Sequence, residues 1–274
     1  MVFETIGIIG TGNMGSAFVK GLVNKGILPA GKINAFDVSQ SALDGMATEA
    51  GINTSFSSNV DLVNASDIVI MAVKPQVLKE VLVEIAPVLA PEKGMLSIVA
   101  GVPMVFYEKA TGSQFPLARS MPNTPALVNA GVTAVVFNNL ASAEFKADCM
   151  AIFGSIGSVH EVPEKYLDAV TGLSGSGPAY VFYVIEGLID GGVKMGLPRD
   201  LARALVLDTV AGSVKLLQET GKTPMQLKDQ VASPGGTTIE GLQVLEDGNL
   251  RGTLMHAVDA ASTKSKKLSE IYLQ

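Results

Sequence analysis

Among 274 residues there are one cysteine, two histidines and no tryptophan. With Cys149 alone, an intrachain disulfide and a cysteine-based metal site are both excluded. His160 and His256 have no cysteine or second histidine at ligand spacing, so a metal-free protein is expected. Charge is sparse: Asp, Glu, Lys and Arg make up 17% of the chain and the net charge is -6. No basic block exceeds Lys266-Lys267, which argues against a nucleic-acid footprint. Long apolar runs are missing too. Mean hydropathy is +0.36, yet runs such as Ile68–Val73 fall far short of the ~20 residues that a membrane-spanning helix needs. The residues before Thr5 show no signal-peptide or transit pattern, so the expected location is the cytoplasm.

What is present is a chain that is 47% hydrophobic, too apolar for disorder and long enough for about two domains. Strands are predicted over Thr5–Gly10, Lys32–Phe36, Asp67–Val73, Met95–Ala100, Gly131–Phe137 and Ser158–Val162. Helical spacing of Met14, Phe18, Leu22 and Val23 predicts a helix over Asn13–Lys25. A second spans Ser39–Ala50 with Ser39 as N-cap. Pro75 stands where a helix can begin. Strands separated by helices imply βαβ units and a mostly parallel sheet. After Pro163 no strand is evident. Helices are predicted over Gly177–Met195, Pro198–Thr220, Pro224–Val231, Thr237–Asp247 and Leu250–Tyr272. The expected fold is therefore α/β: a Rossmann-like dinucleotide-binding domain over residues 1–162, then an all-helical domain over 163–274. These apolar helices are too many for one small core, which points to burial against a second subunit.

Gly10-Thr11-Gly12-Asn13-Met14-Gly15 fits G-x-G-x-x-G between a predicted strand and a helix. Gly10 allows the tight turn, Gly12 lets backbone approach a pyrophosphate, and Gly15 lets helix and strand pack closely. The N–H groups at the helix start then face the phosphates. Asp37 ends the second predicted strand, 22 residues after Gly15, where an acidic residue can bond the adenine ribose; a turn-forming Asp is the plainer alternative. No Lys or Arg occurs from Ile33 to Ser55 to meet a 2′-phosphate, which favours NADH over NADPH. Lys74 follows one predicted strand and Ala100 ends another, at the edge where ligands bind in open α/β sheets; a solvated lysine at a strand end is the alternative for Lys74. Ser233-Pro234-Gly235-Gly236-Thr237-Thr238 stands just before a helix and can form an anion-binding nest for a small carboxylate. Ordinary N-capping by Ser233 or Thr237 is the alternative.

These segments, with AVKPQ (72–76), RSMPNTP (119–125), TGLSGSGPAY (171–180) and DGGV (190–193), resemble pyrroline-5-carboxylate reductase in order along nearly the whole chain. The resemblance implies reduction of 1-pyrroline-5-carboxylate to L-proline. It also implies a helical dimerisation domain and dimers often arranged as a decamer, a pentamer of dimers. It places dinucleotide contacts at Gly10, Thr11, Gly12, Asn13, Met14, Gly15, Asn59, Ala72, Val73, Lys74 and Ala100. Substrate contacts fall at Glu164, Ser233, Gly236, Thr237 and Thr238, with the Thr238 hydroxyl beside the imine nitrogen. The family usually takes NADPH and some members also use NADH. Two alternatives stay open at this point. A β-hydroxyacid dehydrogenase would need a catalytic lysine shortly after the Gly-Ser-Gly segment, and residues 178–185 contain none. A non-catalytic dinucleotide sensor would need only the first motif.

Overall fold

The computed structural model describes residues 3–112 and 114–273. The β-branched runs of the first part form strands β1 (Ile6–Ile9), β2 (Ile33–Phe36), β3 (Ile68–Met71), β4 (Gly94–Ser97), β6 (Gly131–Phe137) and β7 (Gly157–Glu161). A further strand, β5 (Leu117–Met121), was not predicted. Together they make one sheet in the order β2-β1-β3-β4-β5-β6-β7. Neighbouring strands run parallel except β5 with β6.

The central strands are buried on both sides, and their alternation separates two cores. Ile6, Ile8, Ile68 and Ile70 pack with Phe18 and Leu22 of α1 (Asn13–Asn24) and with Phe153 of α6 (Ala143–Gly154). Val69 and Met71 face the other way, against Leu82 and Ile85 of α4 (Leu78–Ile85) and Tyr107 of α5 (Met104–Thr111). Cys149 is fully buried in the first core, and burial pushes its thiol pKa well above the ordinary value. The strand β5 escaped prediction because Arg119 and Ser120 stand in its middle, both buried. A carboxylate 45 positions away neutralises that arginine.

Helix starts refine the expectations. Helix α2 (Gln40–Ala50) does have Ser39 at its N-cap, but the Ser39 hydroxyl makes no capping bond. Pro75 opens a single 3-10 turn that leads into α4. Beyond residue 163 come α7 (Leu167–Val170), a π-turn over Thr171–Gly175, α8 (Gly177–Lys194), α9 (Arg199–Thr220), α10 (Pro224–Val231), α11 (Thr237–Asp247) and α12 (Leu250–Ile271), with no strand among the described residues. Gly221 ends α9 in the left-handed region at φ +63, and Thr223 and Gln226 form a capping box at the start of α10.

Two compact units result: Met1–Ser176 together with Ala260–Gln274, and Gly177–Asp259. Strands stop near the expected boundary after residue 162, but packing groups 163–176 and the chain's end with the sheet. Within that first unit, Asp168 accepts from the buried Ser265 hydroxyl at 2.7 Å, and Asn123 donates to the Ser174 carbonyl at 3.1 Å. The second unit has almost no core of its own. Among its residues only Ala202 is buried, while Phe182, Tyr183 and Met195 are 62%, 80% and 81% exposed. Among the described residues, no helix is long and apolar enough to cross a membrane.

Candidate functional site

The Gly-rich segment lies where β1, β2 and β3 end together. Gly10 has φ +95, its N–H donates to the Phe36 carbonyl at 2.9 Å, and a Cβ there would press on the Ala72 carbonyl oxygen. A Cβ on Gly15 would overlap the Gly10 carbonyl, so this glycine sets the close approach of α1 to β1. Gly12 differs: a Cβ there meets nothing within 4 Å. It is the N-cap of α1, and no side chain caps the helix. The N–H groups of Asn13, Met14 and Gly15 at this helix start have no intrahelical acceptor. Open space over uncapped N–H groups fits the pyrophosphate of a dinucleotide.

Asp37 is brought to this loop. One carboxylate oxygen accepts from the Thr11 N–H at 2.7 Å and the Thr11 hydroxyl at 3.1 Å; the other accepts from the Ser39 N–H at 2.9 Å. It is thus both a turn residue and a clamp on the loop, and the oxygen that meets Ser39 keeps room for another donor. A cavity of about 290 Å³ opens beside it. Its apolar wall is Ile9, Phe36, Val73, Val77 and Val81, and its polar lining includes Asp37, Asn59, Glu80 and Glu84. Asn59 opens α3 (Asn59–Asn64) and donates to Glu84 at 2.7 Å. The structure therefore gathers Gly10, Asp37, Asn59 and Val73 around one cavity. Lys74 is exposed just past β3.

Ala100 follows β4, where a buried network shapes the strand's exit. Ser97 exchanges a hydrogen bond with the Tyr107 hydroxyl and accepts from the Val99 N–H. Burial drives the Tyr107 pKa far above its ordinary value, although the Ser97 bond and the Arg119 charge oppose the shift, so the hydroxyl stays protonated. Gly101 follows at φ +75. The turn just past α12, unforeseen in any site role, packs here. Tyr272 sets its ring edge-on to Phe106 at 4.9 Å and donates to the Pro75 carbonyl at 3.2 Å.

Glu164 sits in the first unit, one residue past Pro163, at the start of a 3-10 turn. One of its oxygens accepts from Arg119 at 2.6 Å and from the Met104 N–H at 2.9 Å. The sequence singled out the segment around Arg119 but not this pairing. Ser233–Thr238 lies in the second unit. Gly235 takes φ +65, and Gly236, rather than Ser233 or Thr237, is the N-cap of α11, with no side-chain cap. The hydroxyls of Ser233, Thr237 and Thr238 hold no hydrogen bond among the described residues. An uncapped helix start with three uncommitted hydroxyls can take a small anion and still donate to a neighbouring atom. Among the described residues no three His, Cys, Asp or Glu side chains group as metal ligands.

Comparison with known proteins agrees with this layout. Residues 164–268 match the family model for pyrroline-5-carboxylate reductase dimerisation, and residues 5–101 match that for NADP oxidoreductase, coenzyme F420-dependent. The pyrroline-5-carboxylate reductase of Glycine max is 44% identical over 265 residues, covering 97% of this chain and 96% of its own. That of Escherichia coli strain K12 is 41% identical, covering 97% and 99%. The crystal structure of Plasmodium falciparum pyrroline carboxylate reductase with NADP bound superposes with a TM-score of 0.89 at 38% identity, over 97% and 98% of the two chains.

Proposed function

This chain belongs to the pyrroline-5-carboxylate reductase family, and from that premise we propose that it reduces 1-pyrroline-5-carboxylate to L-proline with NAD(P)H, the last step of proline biosynthesis. The observation that carries this reading is a pair of uncapped helix starts, α1 beneath the open space at Gly12 and α11 with its free hydroxyls. One suits a pyrophosphate, the other a substrate bearing a single carboxylate.

The bound nicotinamide supplies the hydride that adds to the C=N carbon. The loop from Gly10 to Gly15 holds the pyrophosphate, and Asp37 accepts from a ribose hydroxyl. Asn59, Ala72, Val73, Lys74 and Ala100 complete that side. Ser233, Gly236 and Thr237 hold the substrate carboxylate. Thr238 donates to the ring nitrogen, and Glu164 contacts substrate through the oxygen that Arg119 leaves free. An imine nitrogen is basic enough to take its proton from water, so positioning and exclusion of water carry the rate.

In this reading residues 1–162 bind the dinucleotide, while 163–274 bind substrate and dimerise. A second copy covers the apolar helices that the second unit leaves bare, including Phe182 and Tyr183. The finer expectations are a pentamer of such dimers and a cytoplasmic location. The direct test is loss of the reduced nicotinamide absorbance with 1-pyrroline-5-carboxylate and each reduced cofactor in turn, with proline identified as product. No turnover with either cofactor overturns the reading.

A further inference from the structure

The cavity beside Asp37 has carboxylates but no cation in its lining. Two of its three carboxylates are committed: Asp37 to Thr11 and Ser39, Glu84 to Asn59. The third, Glu80, has no hydrogen bond or ion pair among the described residues. Glu80 and Glu84 stand four apart on α4, on one helical face. Like charges at that spacing oppose each other, and no Lys or Arg of the lining relieves them. The cavity thus carries an uncompensated negative field at the mouth beside the second strand, which in this architecture takes the adenosine end of a dinucleotide.

We infer that Glu80 is a specificity-determining residue that turns this enzyme toward NADH and against NADPH. The inference rests on the proposed dinucleotide site and adds to it. The two cofactors differ by a phosphate on the 2′ position, which brings a charge of about -1.5 to -2. NADH presents a neutral hydroxyl there, which Asp37 can accept from. NADPH must bring its phosphate toward Glu80 and Glu84 with no basic side chain of the lining to meet it. Because both glutamates are exposed, water screens the repulsion, and a single charge is expected to shift relative affinity by about tenfold at low salt.

The test is direct binding by calorimetry, independent of turnover, with NADH and NADPH and with the fragments 5′-AMP and adenosine 2′,5′-bisphosphate. The wild-type chain should bind NADH and 5′-AMP more tightly than their 2′-phosphorylated counterparts, and the gap should narrow as salt rises. Glu80→Gln should lower the ratio of NADPH to NADH dissociation constants by about tenfold at low salt, and Glu80→Lys by more. Because the ratio compares two ligands on the same sample, partial misfolding cancels. A ratio indifferent to both substitutions overturns the inference, whatever its dependence on salt, because Asp37 alone can make it salt-dependent. In that case both cofactors still bind and the proposed function stands, whereas failure of every nucleotide to bind overturns the site itself.

Discussion

Glu164→Ala separates two roles for one carboxylate. It removes the ion-pair partner of Arg119, which is only 7% exposed, and the acceptor for the Met104 N–H at the start of α5. Stripping one member from a fully buried pair costs about 3–5 kcal/mol. The Glu164 side chain is 39% exposed, so water screens the bridge and about 2 kcal/mol is the better figure. Losing the acceptor of a helix-start N–H adds about 1 kcal/mol. The sum of about 3 kcal/mol should lower Tm by on the order of 5–10 °C for a chain this long. The assay is thermal unfolding followed by circular dichroism at one protein concentration. Glu164→Gln keeps an acceptor oxygen but not the charge, and should fall between wild type and Ala. Arg119→Met combined with Glu164→Leu removes both charges and should recover most of the lost stability. Wild-type Tm in Glu164→Ala with a raised substrate KM would mean that Glu164 serves substrate alone. A Tm loss left unrelieved by the double variant would refute the charge argument.

Gly12→Val should fold normally, because φ is -63 and a Cβ meets nothing within 4 Å, yet it should lose dinucleotide binding in a direct titration; undiminished affinity refutes the loop assignment. Thr238→Val keeps the shape and deletes the donor, so kcat/KM for the imine should fall by up to about 100-fold with cofactor affinity retained, and Thr238→Ser should keep more activity than Thr238→Val. Wild-type turnover by the Val variant would leave Thr238 no part in protonation. Sedimentation at low micromolar concentration should show a dimer or larger, and a fully active 28.4 kDa monomer refutes the assembly.

The parts of this molecule that were legible in the sequence are those set by local pattern. Uninterrupted apolar residues marked β3, and the spacing of Phe18 and Leu22 marked α1. Glycine and proline punctuated α8, α9 and α10 because left-handed termini and proline starts are local requirements. What stayed hidden depends on partners far along the chain. The strand β5 reads as polar until Arg119 is seen against Glu164. Asp37 was found by its distance from the glycines, but not its bonds to Thr11, 26 positions back. Glu80 and Glu84 sit at plain helical spacing after Pro75, a signal that gains meaning only once the cavity shows which way the α4 face points.

The second unit makes folding and function hard to separate. A stretch of helices with Ala202 as its one buried residue cannot offset the conformational entropy of ordering itself. Its apolar faces must be covered by association, and structure gained that way depends on protomer concentration. The Ser233–Thr238 loop belongs to this unit, whereas the Gly-rich loop belongs to the sheet, which carries two cores of its own. Dinucleotide binding should therefore survive dilution longer than substrate turnover does. Dilution of the chain, with cofactor affinity and imine reduction followed on the same samples, tests this ordering. Parallel loss of both would mean that the sheet, too, relies on the partner for its shape.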